Sequence, residues 1–183
     1  MQNSAHRIMV LLIVGWLATP TALADAEIAS KIVQFCKDNV GKQVGRGECS
    51  DVAVQALKEA GAKPQTAFPD SPNKDDYVWG ELVYLYGKNA VGKDDREGAL
   101  KDVQPGDIIQ LRDAMFAGKA ANGGTYTQQS PHHTSVVAEV KDKAKQVVVY
   151  EQNSNNVRTV TKNVYRLNDL RQGWIRIYRP VAK

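Results

Sequence analysis

The sequence predicts an α+β domain in which helices come first and an antiparallel sheet follows. In the first third of the chain, apolar residues recur at helical spacing, as at Val52, Ala56 and Ala60. From residue 104 onward the pattern changes to short β-branched runs separated by turns, such as HTSVVAEV and QVVVYE. Helices followed by strands are typical of folds in which the helices are segregated on one side of the sheet.

The first 24 residues have the composition of an export signal. A short positive region at His6 and Arg7 precedes an apolar run over residues 8–17, and Ala22-Leu23-Ala24 forms a small-residue cleavage site. The apolar run is shorter than the roughly 20 residues that span a bilayer. We expect a signal peptide over 1–24 and a mature domain over 25–183, without a membrane span, that is secreted or periplasmic. An uncleaved membrane anchor is the alternative.

The charge of the chain is mildly basic and evenly spread. The 183 residues carry a formal net charge of +4, and Lys and Arg alternate with Asp and Glu without a dense basic run. This distribution gives no argument for a nucleic-acid partner. A weak attraction to anionic cell-wall polymers would suit the same charge equally well.

Two helices are predicted before the sheet. The first covers residues 26–39, where an apolar stripe that includes Ile32 and Cys36 has near-helical spacing. The second begins at Cys49, after the glycine-rich loop GKQVGRG, and ends before Gly61.

The remaining elements follow from turn residues and β-branched runs. Residues 61–76 contain three prolines and are expected to form a loop. Residues 77–86 are expected to form a short helix or irregular core packing. Residues 88–103 are expected to form another loop. Residues 113–131 are expected to form a long loop, which is often functional inside a compact domain. Strands are predicted at 108–111, 133–140, 146–151, 157–160, 164–165 and 174–178.

Cys49 is the first candidate for chemistry. At a helix N-terminus the backbone N–H groups and the helix dipole favour negative charge, which lowers the pKa of a thiol. Two alternatives remain open at this point. Cys49 could be a small core residue, or it could form a disulfide with Cys36, since paired cysteines are frequent in oxidising compartments.

The hairpin formed by the strands 133–140 and 146–151 places polar residues together. A five-residue turn pairs Val140 with Gln146, which sets His133 opposite Asn153 with Glu151 as its diagonal neighbour on the same face. A register two residues shorter sets His133 opposite Glu151. A shift by one residue would turn His133 to the other face and bring His132 into its place.

These residue types suit nucleophilic catalysis by a thiol. His133 can act as the base, and Glu151 and Asn153 can hold its second ring nitrogen. Backbone N–H groups at the helix start could bind an oxyanion. The alternative is a strand-end histidine bonded to its neighbours beside a solvated turn. Since His132 and His133 point to opposite faces, a zinc site is not expected, and no cofactor is predicted.

Four segments, GECSDVAVQAL, QPGDIIQL, HHTSVV and VVVYEQN, occur in this order between residues of about 45 and 178. In this arrangement the chain resembles the CHAP domain of the NlpC/P60-type, papain-like cysteine amidases. The resemblance implies a papain-like fold with Cys49 as nucleophile, His133 as base, Glu151 as the residue that orients it, and Asn153 as a fourth member.

The resemblance and the export signal together predict a function. We expect an exported cysteine hydrolase that cleaves amide bonds in peptidoglycan or its peptide stems, as an N-acetylmuramoyl-L-alanine amidase or a peptide endopeptidase. The alternative is an inactive or weakly active module of the same fold that binds cell-wall peptides or a partner protein. Because the resemblance requires Cys49 as a free thiol, we expect Cys36 to be buried in the first helix and both thiols to be free.

Overall fold

The computed structural model describes residues 20–69, 76–88, 94–120 and 122–183. Within these ranges the chain forms two helices and seven strands, which confirms the predicted α+β class. In chain order they are α1 (Pro20–Asp38), α2 (Cys49–Ala60), β1 (Glu81–Lys88), β2 (Asp94–Gly98), β3 (Ile108–Lys119), β4 (Thr125–Lys141), β5 (Gln146–Glu151), β6 (Thr161–Arg166) and β7 (Leu170–Arg179). Four short 3-10 turns lie at Gln65–Ala67, Leu100–Asp102, Asp142–Ala144 and Leu167–Asp169.

The seven strands form one sheet in the order β2-β1-β7-β3-β4-β5-β6. Every neighbouring pair in this order is antiparallel. The C-terminal strand β7 lies between β1 and β3, so the last residues of the chain complete the middle of the sheet. The strands β3, β4, β5 and β6 follow one another along the chain as a meander, which brings β4 and β5 side by side.

Apolar residues cover both faces of this sheet, because successive side chains of a strand point to opposite faces. One cluster joins α1 and α2 to a row of register partners on β7, β3, β4 and β5, namely Tyr178, Ile108, Val136 and Tyr150. The residues one step further along the same strands, Ile177, Ile109, Val137 and Val149, belong to a second cluster, to which neither helix contributes. The helices therefore share their core with one of the two rows.

The helix that starts at Cys49 has the predicted limits. Its apolar face is buried, and Gly61 ends it with a φ of 75°, a left-handed conformation that favours glycine. The first helix begins at Pro20, six residues before the predicted start, and thus runs across the predicted cleavage site after Ala24. Residues 1–19 of the predicted signal peptide lie outside the described residues. No helix among the described residues is long and apolar enough to cross a membrane.

Four segments differ from the sequence prediction. Residues 157–160 form only isolated bridges, at Val157 and Val160, instead of the predicted strand. Residues 77–86 are not helical but contribute most of β1, and the expected loop over 88–103 contains the exposed strand β2. The expected long loop over 113–131 is instead the far end of a hairpin, in which β3 and β4 remain paired as far as Lys119 and Thr125. The strand β2 and the tip of the β3–β4 hairpin are polar and largely exposed, so backbone hydrogen bonds to a neighbouring strand stabilise them without a hydrophobic pattern in the sequence. The strand β1 differs, because it buries Tyr84 and Tyr86 in the core.

The helix α2 is held in place by apolar packing, and Leu57 tests this. Its side chain is 1% exposed and belongs to the cluster shared by both helices and the sheet. We expect Leu57→Ala to lower the free energy of unfolding by about 2–5 kcal/mol, because the substitution leaves a cavity. Lys58→Ala, at the exposed next position, should change it by no more than about 0.5 kcal/mol. Chemical denaturation measures both values, and equal losses would contradict the packing described here.

Candidate active site

Cys49 is the first residue of α2, and a tightly packed loop leads into it. Gly45 and Gly47 have φ values of 56° and 85°, and a Cβ atom at either position would lie 2.9 Å from the side chain of Asp51 or Arg158. The Asp51 carboxylate accepts hydrogen bonds from the backbone N–H groups of Arg46 at 2.7 Å and Glu48 at 3.1 Å. The loop is therefore fastened to the first turn of the helix that carries the thiol.

A second fastening comes from Gln152, which directly follows β5. Its side-chain amide is buried and donates to the backbone oxygens of Val44 at 2.9 Å and Glu48 at 2.8 Å. Its oxygen accepts the N–H of Val44 at 3.1 Å. Three hydrogen bonds from one side chain thus join the end of β5 to the loop before Cys49.

His133 lies on β4, and the register of the β4–β5 hairpin decides where its side chain points. Near the turn Lys141 pairs with Gln146, one residue away from the predicted pairing of Val140 with Gln146. Ala138 is then left without a partner, and beyond this bulge Val136 pairs with Tyr150, as the five-residue turn predicts. The bulge thereby restores the register that places His133 and Glu151 on the same face.

Glu151, the last residue of β5, meets His133 as the predicted diagonal neighbour. Its Oε2 lies 3.1 Å from Nε2 of His133. The carboxylate, which is 1% exposed, also accepts hydrogen bonds from Tyr165 and Asn163 on the adjacent strand β6. The backbone oxygen of His133 is held as well, by the side-chain amide of Gln110 at 3.2 Å.

The thiol of Cys49 lies beside His133 and completes a row with His133 and Glu151. Burial raises the pKa of Cys49. The interaction with His133 and the backbone groups of Thr134 and Ser50 lowers it by a larger amount, so the pKa lies below its ordinary value. Since Nε2 of His133 contacts the carboxylate, Nδ1 is the ring nitrogen left for the thiol.

The pKa values of the two other members, His133 and Glu151, are shifted in the directions that favour their charged forms. Burial lowers the pKa of His133, but its hydrogen bonds to Cys49 and Glu151 raise it to about 9. Burial raises the pKa of Glu151, but the hydrogen bond and the charge of His133 lower it below its ordinary value. Together these shifts favour a thiolate beside an imidazolium, which is the reactive form of a nucleophilic cysteine.

Asn153 occupies a different place from the one predicted opposite His133. The strand β5 ends at Glu151, and Asn153 has a left-handed φ of 56°, which turns the chain out of the sheet. Its side-chain amide donates to the carboxylate of Glu48 at 3.0 Å, next to Cys49. The residue therefore contacts the start of α2 rather than the histidine.

The other cysteine and the other histidine of the described region lie apart from this row. Cys36 is completely buried in α1, is not in a disulfide, and has a pKa raised to about 12 by burial. His132 points to the opposite face, where its Nε2 lies 3.4 Å from the carboxylate of Asp76. In the described part of the chain, no three His, Cys, Asp or Glu side chains are grouped so that they could hold a metal ion.

Sequence reasoning missed Gln152, Tyr165 and Asn163. Gln152 stands inside the EQN tripeptide, between two residues that were singled out. Tyr165 and Asn163 could be found only from the pairing of β5 with β6, which sets Glu151 opposite Thr161 and so places alternate residues of β6 on the face of the carboxylate.

Comparison with known proteins finds a relative that is similar in sequence. Altered inheritance of mitochondria protein 3 from Debaryomyces hansenii is 32% identical over 151 residues, which are 82% of this chain and 15% of that protein. The chain thus spans about 15% of the length of this relative.

Two solved structures of Ly7917 were also found. The crystal structure of Ly7917 has a TM-score of 0.48 at 18% identity, and covers 83% of this chain and 62% of that one. Ly7917 with the hydrolyzing product of MDP has a TM-score of 0.47 at 18% identity, over 83% and 63% of the two chains.

The comparison with protein families covers nearly all of the described residues. Residues 21–183 match the family described as the AIM3/BBC1 cysteine proteinase-fold domain. The cysteine proteinase fold expected from the sequence is therefore present, and the chain belongs to the AIM3/BBC1 cysteine proteinase-fold domain family.

Proposed function

We propose that the protein is a cysteine-dependent hydrolase that cleaves amide bonds, with Cys49 as nucleophile and His133 as general acid and base. The observation that carries this proposal is the row of Cys49, His133 and Glu151, in which His133 and Glu151 are buried and 3.1 Å apart and the partly exposed thiol of Cys49 lies beside His133. A thiol, an imidazole and a carboxylate in sequence form the nucleophile, base and orienting group of thiol hydrolases.

The chemistry follows from these positions. The thiolate of Cys49 attacks the carbonyl carbon, and the positive end of α2 at the start of the helix stabilises the oxyanion. His133 gives its proton to the leaving amine, and a thioester with Cys49 remains. His133 then takes a proton from water, which attacks the thioester and releases the acid. The active form exists between the pKa of Cys49 and that of His133, which is about 9.

The substrate and the narrower fold type are further parts of the proposal. We infer a papain-like fold of the CHAP type with both helices on one side of the sheet, which the cluster shared by α1, α2 and one face of the sheet supports. The motifs of this type and the composition of residues 1–24 support an exported enzyme that acts on amide bonds of peptidoglycan.

Replacement of the nucleophile tests the reaction. We expect Cys49→Ala to reduce the release of soluble fragments from purified peptidoglycan sacculi by at least about 1,000-fold, because no other group can form the thioester. Mass spectrometry of the released fragments measures this loss and identifies the bond that is cut.

Cys36→Ala is the matched control, since it removes a thiol that is buried outside the row. It should leave release within about twofold of the original protein. Unchanged release by Cys49→Ala would refute the nucleophile assignment. Absence of release by the original protein, despite a reactive Cys49, would favour a module that binds wall peptides or a partner.

The pH dependence of alkylation tests the pairing of the thiol with His133. Iodoacetamide reacts with the thiolate, so the midpoint of its rate against pH reports the pKa of Cys49. We expect this midpoint to lie below that of an ordinary thiol and to rise in His133→Ala, because burial then acts without the opposing charge.

His132→Ala serves as the control, because this side chain faces Asp76 on the other side of the strand. Its alkylation midpoint should equal that of the original protein. A midpoint that moves equally in both histidine variants would show that the effect is not specific to the contact between Cys49 and His133.

Export is tested at the N-terminus. We expect the protein recovered outside the producing cell to begin at Asp25, because signal peptidases cleave after small residues such as Ala22 and Ala24. N-terminal sequencing measures this. A chain that begins at Met1 or Gln2 would refute the signal peptide.

A further inference from the structure

In its reactive form, the row of Cys49, His133 and Glu151 carries a net negative charge that its own three members do not neutralise. In the reactive form the thiolate and the carboxylate each carry a negative charge, and His133 carries the only positive charge of the three. The row therefore has a net negative charge in a place where Glu151 is 1% exposed and His133 is 5% exposed. A buried charge is stable only where hydrogen-bond donors replace the water it has lost.

The adjacent strand β6 supplies such donors. The Tyr165 hydroxyl donates to Oε2 of Glu151 at 2.9 Å, the same oxygen that meets His133. The Asn163 amide donates to Oε1 at 2.8 Å. Each carboxylate oxygen thus has a neutral donor from β6, while His133 contacts one of them.

Packing of the buried aromatic ring holds the Tyr165 hydroxyl in this position. The residue is 1% exposed, and its ring packs against Phe116 with the ring centres 5.4 Å apart. The oxygen atoms of the hydroxyl and of Ser130 lie 3.4 Å apart, so Ser130 is within reach of a second hydrogen bond. Burial and the charge of Glu151 hold the pKa of Tyr165 well above its ordinary value, so the hydroxyl keeps its proton and acts as a donor.

We propose that Tyr165 is a positioning residue that acts through Glu151. Its hydroxyl, assisted by the Asn163 amide, partly neutralises the charge of the Glu151 carboxylate beside His133 and so sets the pH range in which Cys49 is a thiolate. This inference deepens the proposed function, because it concerns the same row of residues. Neither β6 residue contacts the thiol; both act through the carboxylate.

Loss of the Tyr165 hydroxyl is expected to move the pKa values of His133 and Cys49 in the same direction. Removing the hydroxyl takes away a positive dipole that points into a negatively charged site, which favours the protonated form of every group there. The pKa values of His133 and Cys49 should therefore rise together. A residue that only maintained packing would act differently, because a loosened contact between thiol and imidazole raises the pKa of Cys49 and lowers that of His133.

The experiment uses Tyr165→Phe, which keeps the ring and removes only the hydroxyl. The rate of alkylation of Cys49 by iodoacetamide between pH 4 and 10, followed by mass spectrometry, reports the thiol. Nuclear magnetic resonance of the imidazole C–H groups reports His133, which is one of three histidines in the chain. We expect both midpoints to move upward, by about 0.5 pH unit or more, as the loss of a hydrogen bond to a charged group implies.

Tyr126→Phe is the matched control. Its hydroxyl donates to the Asp169 carboxylate at 2.8 Å, so the substitution removes a similar bond between tyrosine and carboxylate outside the row. Both midpoints should stay where they are in the original protein. Asn163→Ala removes the donor to the other oxygen of Glu151 and should move both midpoints upward even if Tyr165→Phe does not fold.

The outcomes separate this inference from the proposed hydrolysis. Unchanged midpoints in Tyr165→Phe, or a rise for Cys49 together with a fall for His133, would overturn the role assigned to Tyr165. If Tyr165→Phe does not fold, unchanged midpoints in Asn163→Ala overturn it. Neither measurement requires turnover of a substrate. A parallel rise with no release from sacculi would leave the inference intact and refute the hydrolase.

Discussion

The contact between His133 and Glu151 is the interaction on which the candidate site depends. The two side chains come from neighbouring strands, so the contact requires a register of the β4–β5 hairpin that puts both of them on the same face. The turn by itself leads to a register shifted by one residue, and the bulge at Ala138 corrects it before the chain reaches Val136. A one-residue slip moves a side chain to the other face of a sheet. The bulge is therefore a requirement for the site rather than an irregularity of the strand.

Three consecutive residues at the end of β5 connect the parts of the site to one another. Glu151 binds His133, Gln152 binds the loop before Cys49, and Asn153 binds Glu48 at the start of α2. The nucleophile and the base stand on elements that are far apart in the sequence. The tripeptide contacts both of these elements, and its backbone is held by the pairing of Glu151 with Thr161 on β6 and by the hydrogen bond from the Asn153 N–H to the oxygen of Val157.

Burial has opposite consequences for the two cysteines. Cys36 lies among apolar residues, where burial outweighs a backbone hydrogen bond and raises the pKa of its thiol to about 12. Cys49 is also partly buried, but it lies beside an imidazole whose own charge is supported by Glu151 and, through it, by donors from β6. The difference in reactivity between the two thiols thus arises from the polar groups around them rather than from their exposure alone.

Much of the site could be predicted from the sequence because it lies in strongly patterned elements. Helical spacing and Gly61 define α2 and put Cys49 at its start, and the β-branched run defines β5 up to Glu151. The strands β1 and β2 and the far end of the β3–β4 hairpin could not be predicted in this way. The exposed strand β2 is stabilised by backbone pairing with β1, which leaves no periodic apolar signal. The strand β1 does bury Tyr84 and Tyr86, but its short apolar run does not by itself distinguish a strand from a helix.

What the sequence by itself determined is the set of residue types and their local structure: a cysteine at a helix start and a histidine and a glutamate on adjoining strands. Only the tertiary structure decided which groups meet. It assigned Asn153 to Glu48, Gln152 to the loop before the thiol, and Tyr165 to the carboxylate. The reason is physical, since a bulge of one residue and the pairing of a further strand change which side chains share a face, and neither has a local signature in the chain.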